Sequence, residues 1–290
     1  MRVDGLVERK LSFLFVHVQR WDEYVLGLVM FTCQCMFKYR MWLKMRIVFL
    51  GTNGWYSTGL GNTSCVLIDS DEYYVVLDAG DGIHKLDSCV KNEKPIRIFL
   101  SHLHLDHIIG LHAMGRFKFT QKIDLYGYRG TKDGLGIIRH PYTSPFTDLP
   151  LRIEVHDLDE GRHSLPFPVA CRLLVHADPC LGFRIELDDA VVTYCTDTGI
   201  CDSLHELAEN ADMLIAECSF KSGQAEWKWP HLRPEDAAKV ARKASVGRLV
   251  LTHFDASIYR TKEDRQQAEA AARKIFEKTI AAHDGLEIEL

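Results

Sequence analysis

The sequence predicts an α/β (α+β) chain in which two β-sheets pack face to face with helices outside. Three observations carry this. From Met45 onward, short runs rich in β-branched and aromatic residues alternate with polar turns. Two longer alanine-rich amphipathic stretches come late, at 234–245 and 261–282. No internal repeat and no low-complexity linker interrupts the series, so 45–290 reads as one domain, which at this size can bury a full core.

The elements follow in order. "RIVFL" (46–50) is strand-like and opens the domain. "TSCVLI" (63–68) and "YYVVLD" (73–78) form a pair around the polar turn "DSDE". "IRIFL" (96–100), "KIDLY" (122–126), "RIEVH" (152–156), "VACRLLV" (169–175), "FRIEL" (183–187) and "VVTYC" (191–195) continue the strands, with Asp188 and Asp189 as a tight turn between the last two. "DMLIAE" (212–217) and "RLVLT" (248–252) are buried strands. Helices are expected at Ile108 to Phe119, at Asp202 to Asn210, at Pro234 to Ser245 behind a first-turn proline, and at Thr261 to Ala282 behind a threonine N-cap.

Residues 1–44 stand apart. Their apolar runs are broken by Gln, Arg, Asp and Lys, and none reaches the ~18 residues of a membrane span. Leu11 to Val18 follows Arg9 and Lys10, as in a signal peptide, but no small-residue cleavage site follows. Two readings stay open: an upstream extension outside the domain, or an arm that binds a membrane surface or a partner. No stable membrane insertion is expected. A net charge of -5 supplies no global basic field for nucleic acid. Nine scattered cysteines point to free thiols in a reducing, cytoplasmic compartment.

The chemistry concentrates in "SHLHLDHIIGL" (101–111), where His102, His104, Asp106 and His107 fall within six positions directly after a strand. Imidazoles with a carboxylate suit zinc, manganese or iron. Such crowding costs stability unless a cation orients the groups. Three later positions repeat the theme of an apolar run delivering a ligand: His176 after "VACRLLV", Asp197 after "VVTYC" and His253 after "RLVLT". Together they are enough for two metal ions with a bridging carboxylate.

This H-x-H-x-D-H pattern, with His176, Asp197 and His253 following in order, resembles the metallo-β-lactamase superfamily of hydrolases. The resemblance covers nearly all of 45–290. It implies a four-layer αββα sandwich with a dinuclear site at one sheet edge. It also implies the sorting of ligands. His102, His104 and His176 would hold one ion, Asp106, His107 and His253 the other, and Asp197 would bridge. In "VLDAGDG" (76–82), Asp78 would hydrogen-bond the histidine loop. Zinc is favoured at the all-histidine position, and manganese or iron are compatible with mixed sites.

Within the superfamily the sequence is most similar to ribonuclease Z and related phosphodiesterases. "FLGTNG" (49–54), "GFRIE" (182–186), "AECSF" (216–220), "HLRPEDAAKVA" (231–241) and "LTHFDASIYR" (251–260) carry the likeness. It implies that Glu217 and His231 form a catalytic pair serving the leaving oxygen, that Asp106 orients the nucleophile, a bridging water made acidic by the metals, and that the chain forms a homodimer. The expected substrate is a phosphodiester, either an RNA 3′ end cut endonucleolytically or a small or cyclic nucleotide. The chain departs from ribonuclease Z between Tyr126 and Leu158. That stretch has a few basic residues (Arg129, Lys132, Arg139) but no room for a tRNA-gripping arm.

The alternative is another ester class on the same fold, such as a thioesterase, lactonase or β-lactamase. Those branches are not expected to carry the Glu217–His231 pair. A diiron oxidoreductase would have glutamate at position 104 and a following flavin domain, and a non-catalytic scaffold would have lost ligands.

The sharpest expectation at this level concerns Met45. A chain starting there should unfold cooperatively and retain full activity. Failure of that shortened chain to fold, measured by thermal unfolding, would show that residues 1–44 belong to the domain.

Overall fold

The structure is a computed structural model that describes residues 45–139, 143–224 and 229–290. The extension expected at 1–44 lies outside them. In chain order the strands are β1 (Arg46–Gly51), β2 (Asn53–Gly54), β3 (Cys65–Asp69), β4 (Tyr74–Leu77), β5 (Ile96–Phe99), β6 (Ile123–Tyr128), β7 (Ile153–Leu158), β8 (Gly161–Ser164), β9 (Pro168–Leu173), β10 (Leu181–Leu187), β11 (Ala190–Cys195), β12 (Met213–Glu217), β13 (Leu249–Thr252), β14 (Phe254–Asp255), β15 (Thr279–Ala281) and β16 (Glu287–Glu289). The α-helices are α1 (Leu86–Cys89), α2 (Leu105–Ile108), α3 (Thr131–Arg139), α4 (Asp202–Ala208), α5 (Pro234–Lys243) and α6 (Lys262–Arg273).

One seven-stranded sheet runs β16-β1-β3-β4-β5-β6-β7, and a second runs β15-β13-β12-β11-β10-β9-β8. In each sheet an antiparallel part gives way to a parallel part, β4 through β7 in the first and β11-β12-β13-β15 in the second. Strand alternation then builds the layers. In β1, Ile47 and Phe49 face the core between the sheets, while Val48 and Leu50 face the outside. In β12, Met213 and Ile215 face inward, and Leu214 and Ala216 face outward. The outer face of the first sheet is covered by Ile83, Leu86, Leu111 and Met114. That of the second is covered by Leu204 and Leu207 of α4, Ala237 and Ala241 of α5 and Ala268 of α6. The alanines let these helices approach the sheet closely. The result is the four-layer αββα sandwich that the sequence implied.

Two expected helices differ in extent. The stretch 261–282 is helical only through Arg273, capped at Thr261 by a side chain that accepts from Asp264 N. Thr279 to Ala281 instead pair in parallel with Leu249 to Leu251 as β15. The alanine-rich signal runs past the helix into β-branched residues that extend the sheet. The expected helix from Ile108 to Phe119 starts earlier, as α2, and continues as a 3₁₀ helix over Ile109–Arg116. Here Gly110 N bonds Ala79 O at 2.9 Å instead of continuing an α-helical ladder. Asp188 and Asp189, at φ 51° and 60°, make the expected tight turn. The stretch between β6 and β7 holds α3 and a 3₁₀ turn (Phe146–Asp148), with Leu135, Phe146 and Leu151 buried in the outer core.

The sheets meet at one rim. β4, β5, β9, β11, β12 and β13 all end there, and Leu181 N bonds Ser101 O across it at 2.8 Å. Loops at the carboxyl ends of parallel strands converge on the crevice outside the sheet, so residues just past these ends are brought together.

Candidate metal centre

Each strand end delivers one group. Past β5 the chain crosses Ser101 and reaches His102 and His104, and α2 then carries Asp106 and His107. His176 lies three residues beyond the end of β9, Asp197 two beyond β11, and His253 directly after β13. Glu217 is the last residue of β12, and His231 precedes α5.

These residues form a contiguous cluster. Ligand atoms of His102, His104 and His176 lie within 4.8 Å of one another, as do those of Asp106, His107 and His253, and those of His102, His107 and Asp197. His107 Nε2 and His253 Nε2 are 3.1 Å apart, and each is 3.1 Å from Asp197 Oδ2. His176 Nε2 is 3.4 Å from His104 Nδ1.

The outward hydrogen bonds of the rings decide which nitrogens face inward. Ser101 Oγ donates to Asp78 Oδ2 at 2.9 Å, so it accepts from His102 Nδ1 at 3.0 Å. His107 Nδ1 donates to Asp78 Oδ2 at 2.7 Å. Ser219 Oγ donates to the His253 carbonyl and therefore accepts from His253 Nδ1, both at 3.1 Å. His104 Nε2 is 2.7 Å from Asp178 Oδ2. The remaining nitrogens, Nε2 of His102, His107 and His253 and Nδ1 of His104, face into the cluster, where each would offer a lone pair to a cation once it carries no proton. His102 Nε2 is buried without any partner, and so is His176 Nδ1. Orienting a ring through one nitrogen while the other stays free is how proteins prepare a metal ligand. By that test the residues fit divalent metal binding.

The charges agree. Burial opposes protonation of His107, yet Asp106, Asp78 and Asp197 hold its pKa well above the ordinary histidine value. Burial likewise opposes His253, which Asp197 and Asp106 raise. His102 and His176 are pushed down, chiefly by burial. Against burial, His107 and His253 keep Asp106 and Asp197 far below the usual carboxylate range. The buried carboxylates thus draw positive charge onto His107 and His253, a role that bound cations would take over.

Backbone strain concentrates at the same place. Asp78, Asp197, His253 and Trp55 have φ of 60°, 48°, 51° and 70°, values that non-glycine residues rarely adopt. Gly54, which closes "FLGTNG", lies under the His253 ring, and a Cβ there would sit 2.6 Å from His253 Cε1. A Cβ on Gly80 of "VLDAGDG" would be 2.3 Å from Asp106 O. Both glycines are dictated by close approach to the cluster.

All seven ligand candidates therefore meet, together with Asp78. Glu217 is fully buried. Its Oε1 accepts from His231 Nδ1 and Thr198 N, both at 2.7 Å, and its Oε2 accepts from Ser219 N at 3.0 Å. The His231 ring lies 5.9 Å from that of His176 and 6.3 Å from that of His253. Sequence reasoning missed the supporting groups Asp178, Ser219, Thr196, which donates to Asp197 Oδ2 at 2.7 Å, and Tyr194, whose hydroxyl donates to Asp78 Oδ2 at 2.8 Å. Asp178 could have been suspected from its place two residues after His176. The others carry no pattern of their own.

Comparison with known proteins places this geometry. The Beta-lactamase superfamily domain matches residues 73–254. A ribonuclease Z of Crocosphaera subtropica is 30% identical over 310 aligned positions, covering 85% of this chain and 98% of that protein. Since 85% of 290 residues is about 247, about 63 of those 310 positions hold no residue of this chain. The metallo-β-lactamase fold protein YhfI of Bacillus subtilis superposes with a TM-score of 0.72 at 24% identity, covering 85% of this chain and 100% of YhfI. Human tRNase Z, short form, superposes at 0.64 with 23% identity, covering 84% of this chain and 98% of that one. The chain is a member of the β-lactamase superfamily, a hydrolase of the branch that includes ribonuclease Z and YhfI.

Proposed function

We propose that the protein is a metal-dependent phosphodiesterase of ribonuclease Z type, with two divalent ions, zinc preferred, in the centre described above. His102, His104 and His176 would hold one, Asp106, His107 and His253 the other, and Asp197 would touch both. When bound, such a pair supplies Lewis acidity toward phosphate oxygens and lowers the pKa of water toward neutrality. The observation that carries the choice of a phosphodiester is the Glu217–His231 pair.

The residues themselves supply the rest. Phosphodiester cleavage expels an alkoxide, which needs a proton or a positive charge beside it. Burial opposes the charged form of His231, but the carboxylate of Glu217 and its hydrogen bond raise the imidazole to about 9. Glu217 thus favours the imidazolium form of His231 and holds the ring through Nδ1, so that Nε2 could donate to the leaving oxygen. Glu217 is itself fixed by two backbone N–H groups, so the ring cannot drift. Asp106 accepts from Trp55 N at 2.8 Å, which fixes the carboxylate that would hold the second ion and orient an attacking water.

Two observations favour a small or single-stranded substrate over a tRNA gripped at a distance. The stretch between β6 and β7 packs against the first sheet, and Arg129 is paired with Asp159. Among the described residues, Leu135, Phe146 and Leu151 of that stretch are buried in the outer core, so it is committed to packing. Free thiols at all seven described cysteines fit the proposed reducing, cytoplasmic setting. No helix among the described residues is long and apolar enough to cross a membrane. A homodimer remains part of this reading.

Two outcomes test the pair. In metal-free protein, Glu217→Gln should lower the His231 pKa from about 9 toward the ordinary histidine value, followed by NMR titration. The sign follows from removing the charge that stabilises the imidazolium; an unchanged pKa would mean that Glu217 does not control the ring. In metal-loaded protein, His231→Ala should leave metal content unchanged and slow a diester with a poor alkoxide leaving group roughly 10²–10⁴-fold. A p-nitrophenyl diester, which needs little proton assistance, should lose far less. Equal losses for both would assign His231 to binding rather than proton donation.

A further inference from the structure

The large apolar side chains that the fold leaves exposed gather around the candidate metal centre. Leu105 lies between His104 and Asp106, Val175 precedes His176, Ile200 follows Asp197 by three residues, and Trp55, Tyr56 and Trp229 complete the set. Only Ile109, itself two residues beyond His107, and Ile137 of α3 are exposed to a similar degree among the described residues. Apolar residues normally leave water, and a cluster of them beside a polar site marks a binding surface.

The two tryptophans are set differently from the aliphatic residues. Trp229 is 45% exposed, and its ring lies 6.0 Å from His104 and 5.7 Å from His176, beside the all-histidine triad. Trp55 is 67% exposed and belongs to the other triad, since its backbone N–H donates to Asp106 Oδ2 at 2.8 Å. Trp55 also holds φ 70°, which an indole-bearing residue rarely does. The neighbouring backbone enforces it. Asn53 Nδ2 donates to Tyr56 O at 3.0 Å and to Gly61 O at 2.9 Å, and buried Arg265 grips Asn53 and Thr52 from α6. Tyr56 braces the indole edge-on at 5.3 Å. These bonds fix the backbone of the turn against Asp106, and the indole that the turn carries is largely exposed to solvent.

We propose that Trp55 and Trp229 are stacking platforms for the bases on the two sides of the scissile phosphate, so that the substrate class is a single-stranded oligonucleotide. The inference rests on the phosphodiesterase reading. A phosphate held between the triads sends one ester arm toward each, and among the described residues each triad has an exposed tryptophan attached to it, Trp229 through its ring and Trp55 through its backbone. Stacking accepts any base, because every base offers a π-face. It also needs no basic field, which suits a chain of net charge -5. A cyclic mononucleotide has one base and could occupy only one platform.

The test is calorimetric binding of a thymidylyl-thymidine phosphorothioate and of its abasic counterpart to the metal-loaded protein. The dinucleotide with bases should bind at least tenfold more tightly. Trp55→Ala and Trp229→Ala should each weaken it by roughly tenfold to a hundredfold, with little effect on the abasic compound. The double variant should bind both compounds alike, while Trp→Phe at either position should restore most of the loss. Equal affinity of the two compounds for the unmodified protein would overturn the proposal, as would parallel losses for both. A variant that turns a dimer into a monomer in sedimentation, with base preference intact, would assign that tryptophan to a subunit contact instead. Hydrolysis of unmodified thymidylyl-thymidine is scored separately. Tryptophan-dependent binding without cleavage would sink the phosphodiesterase reading alone, and cleavage without base preference would sink the stacking alone.

Discussion

The candidate centre depends on one buried carboxylate. Asp78 is fully excluded from water and accepts four hydrogen bonds: from Ser101 N, Ser101 Oγ, His107 Nδ1 and Tyr194 OH. It ties together the ends of β4 and β5 in the first sheet and β11 in the second. Through Ser101 it also orients His102. Each such bond to a buried charge is worth about 1.5–3 kcal/mol, and losing any donor would leave the charge undercompensated. The positive φ of Asp78 is the cost of aiming that carboxylate back under the histidine loop. The same logic extends outward. Ser219 orients His253, Thr196 orients Asp197, and Glu217 orients His231.

Most of the layer structure could be read from the sequence, because buried strands write themselves as short apolar runs and the parallel parts of both sheets lie deep. The short pieces could not. β2 and β14 are two residues each, and their pairing, Phe254 with Asn53 and Asp255 with Gly54, is a tertiary contact between the first strand's turn and the last ligand loop. β15 was hidden under an alanine-rich helical signal, and β16 is a mixed edge strand of charged residues around Ile288. The ligand candidates were legible because metal-binding chemistry needs rare residue types at strand ends. Asp178, Ser219 and Tyr194 were not, because a hydrogen-bonding partner can come from anywhere in the chain.

The division of labour at the centre explains how one fold can keep its chemistry while changing its substrate. The groups that would hold cations lie on strand ends fixed by the core. Of the groups that face solvent, Ile200 and Trp229 lie on loops outside the strands, whereas the backbone of Trp55 is tied to Asp106 and only its side chain is free to change. The length of chain between β6 and β7 is a further variable. Here its described residues are spent on α3 and packing against the sheet, and among the described residues aromatic and aliphatic side chains stand exposed near the centre.

The central claim is that the inward-facing nitrogens and Asp197 are two overlapping ligand sets. Anomalous diffraction from crystals of the zinc-loaded protein, recorded on both sides of the zinc edge, tests it most directly. The account predicts two peaks. One should lie at roughly 2.0–2.2 Å from nitrogens of His102, His104 and His176, and the other at similar distances from Asp106, His107 and His253, with Asp197 reaching both. A single peak, or zinc bound away from these residues while the cluster keeps its internal hydrogen bonds, would contradict it.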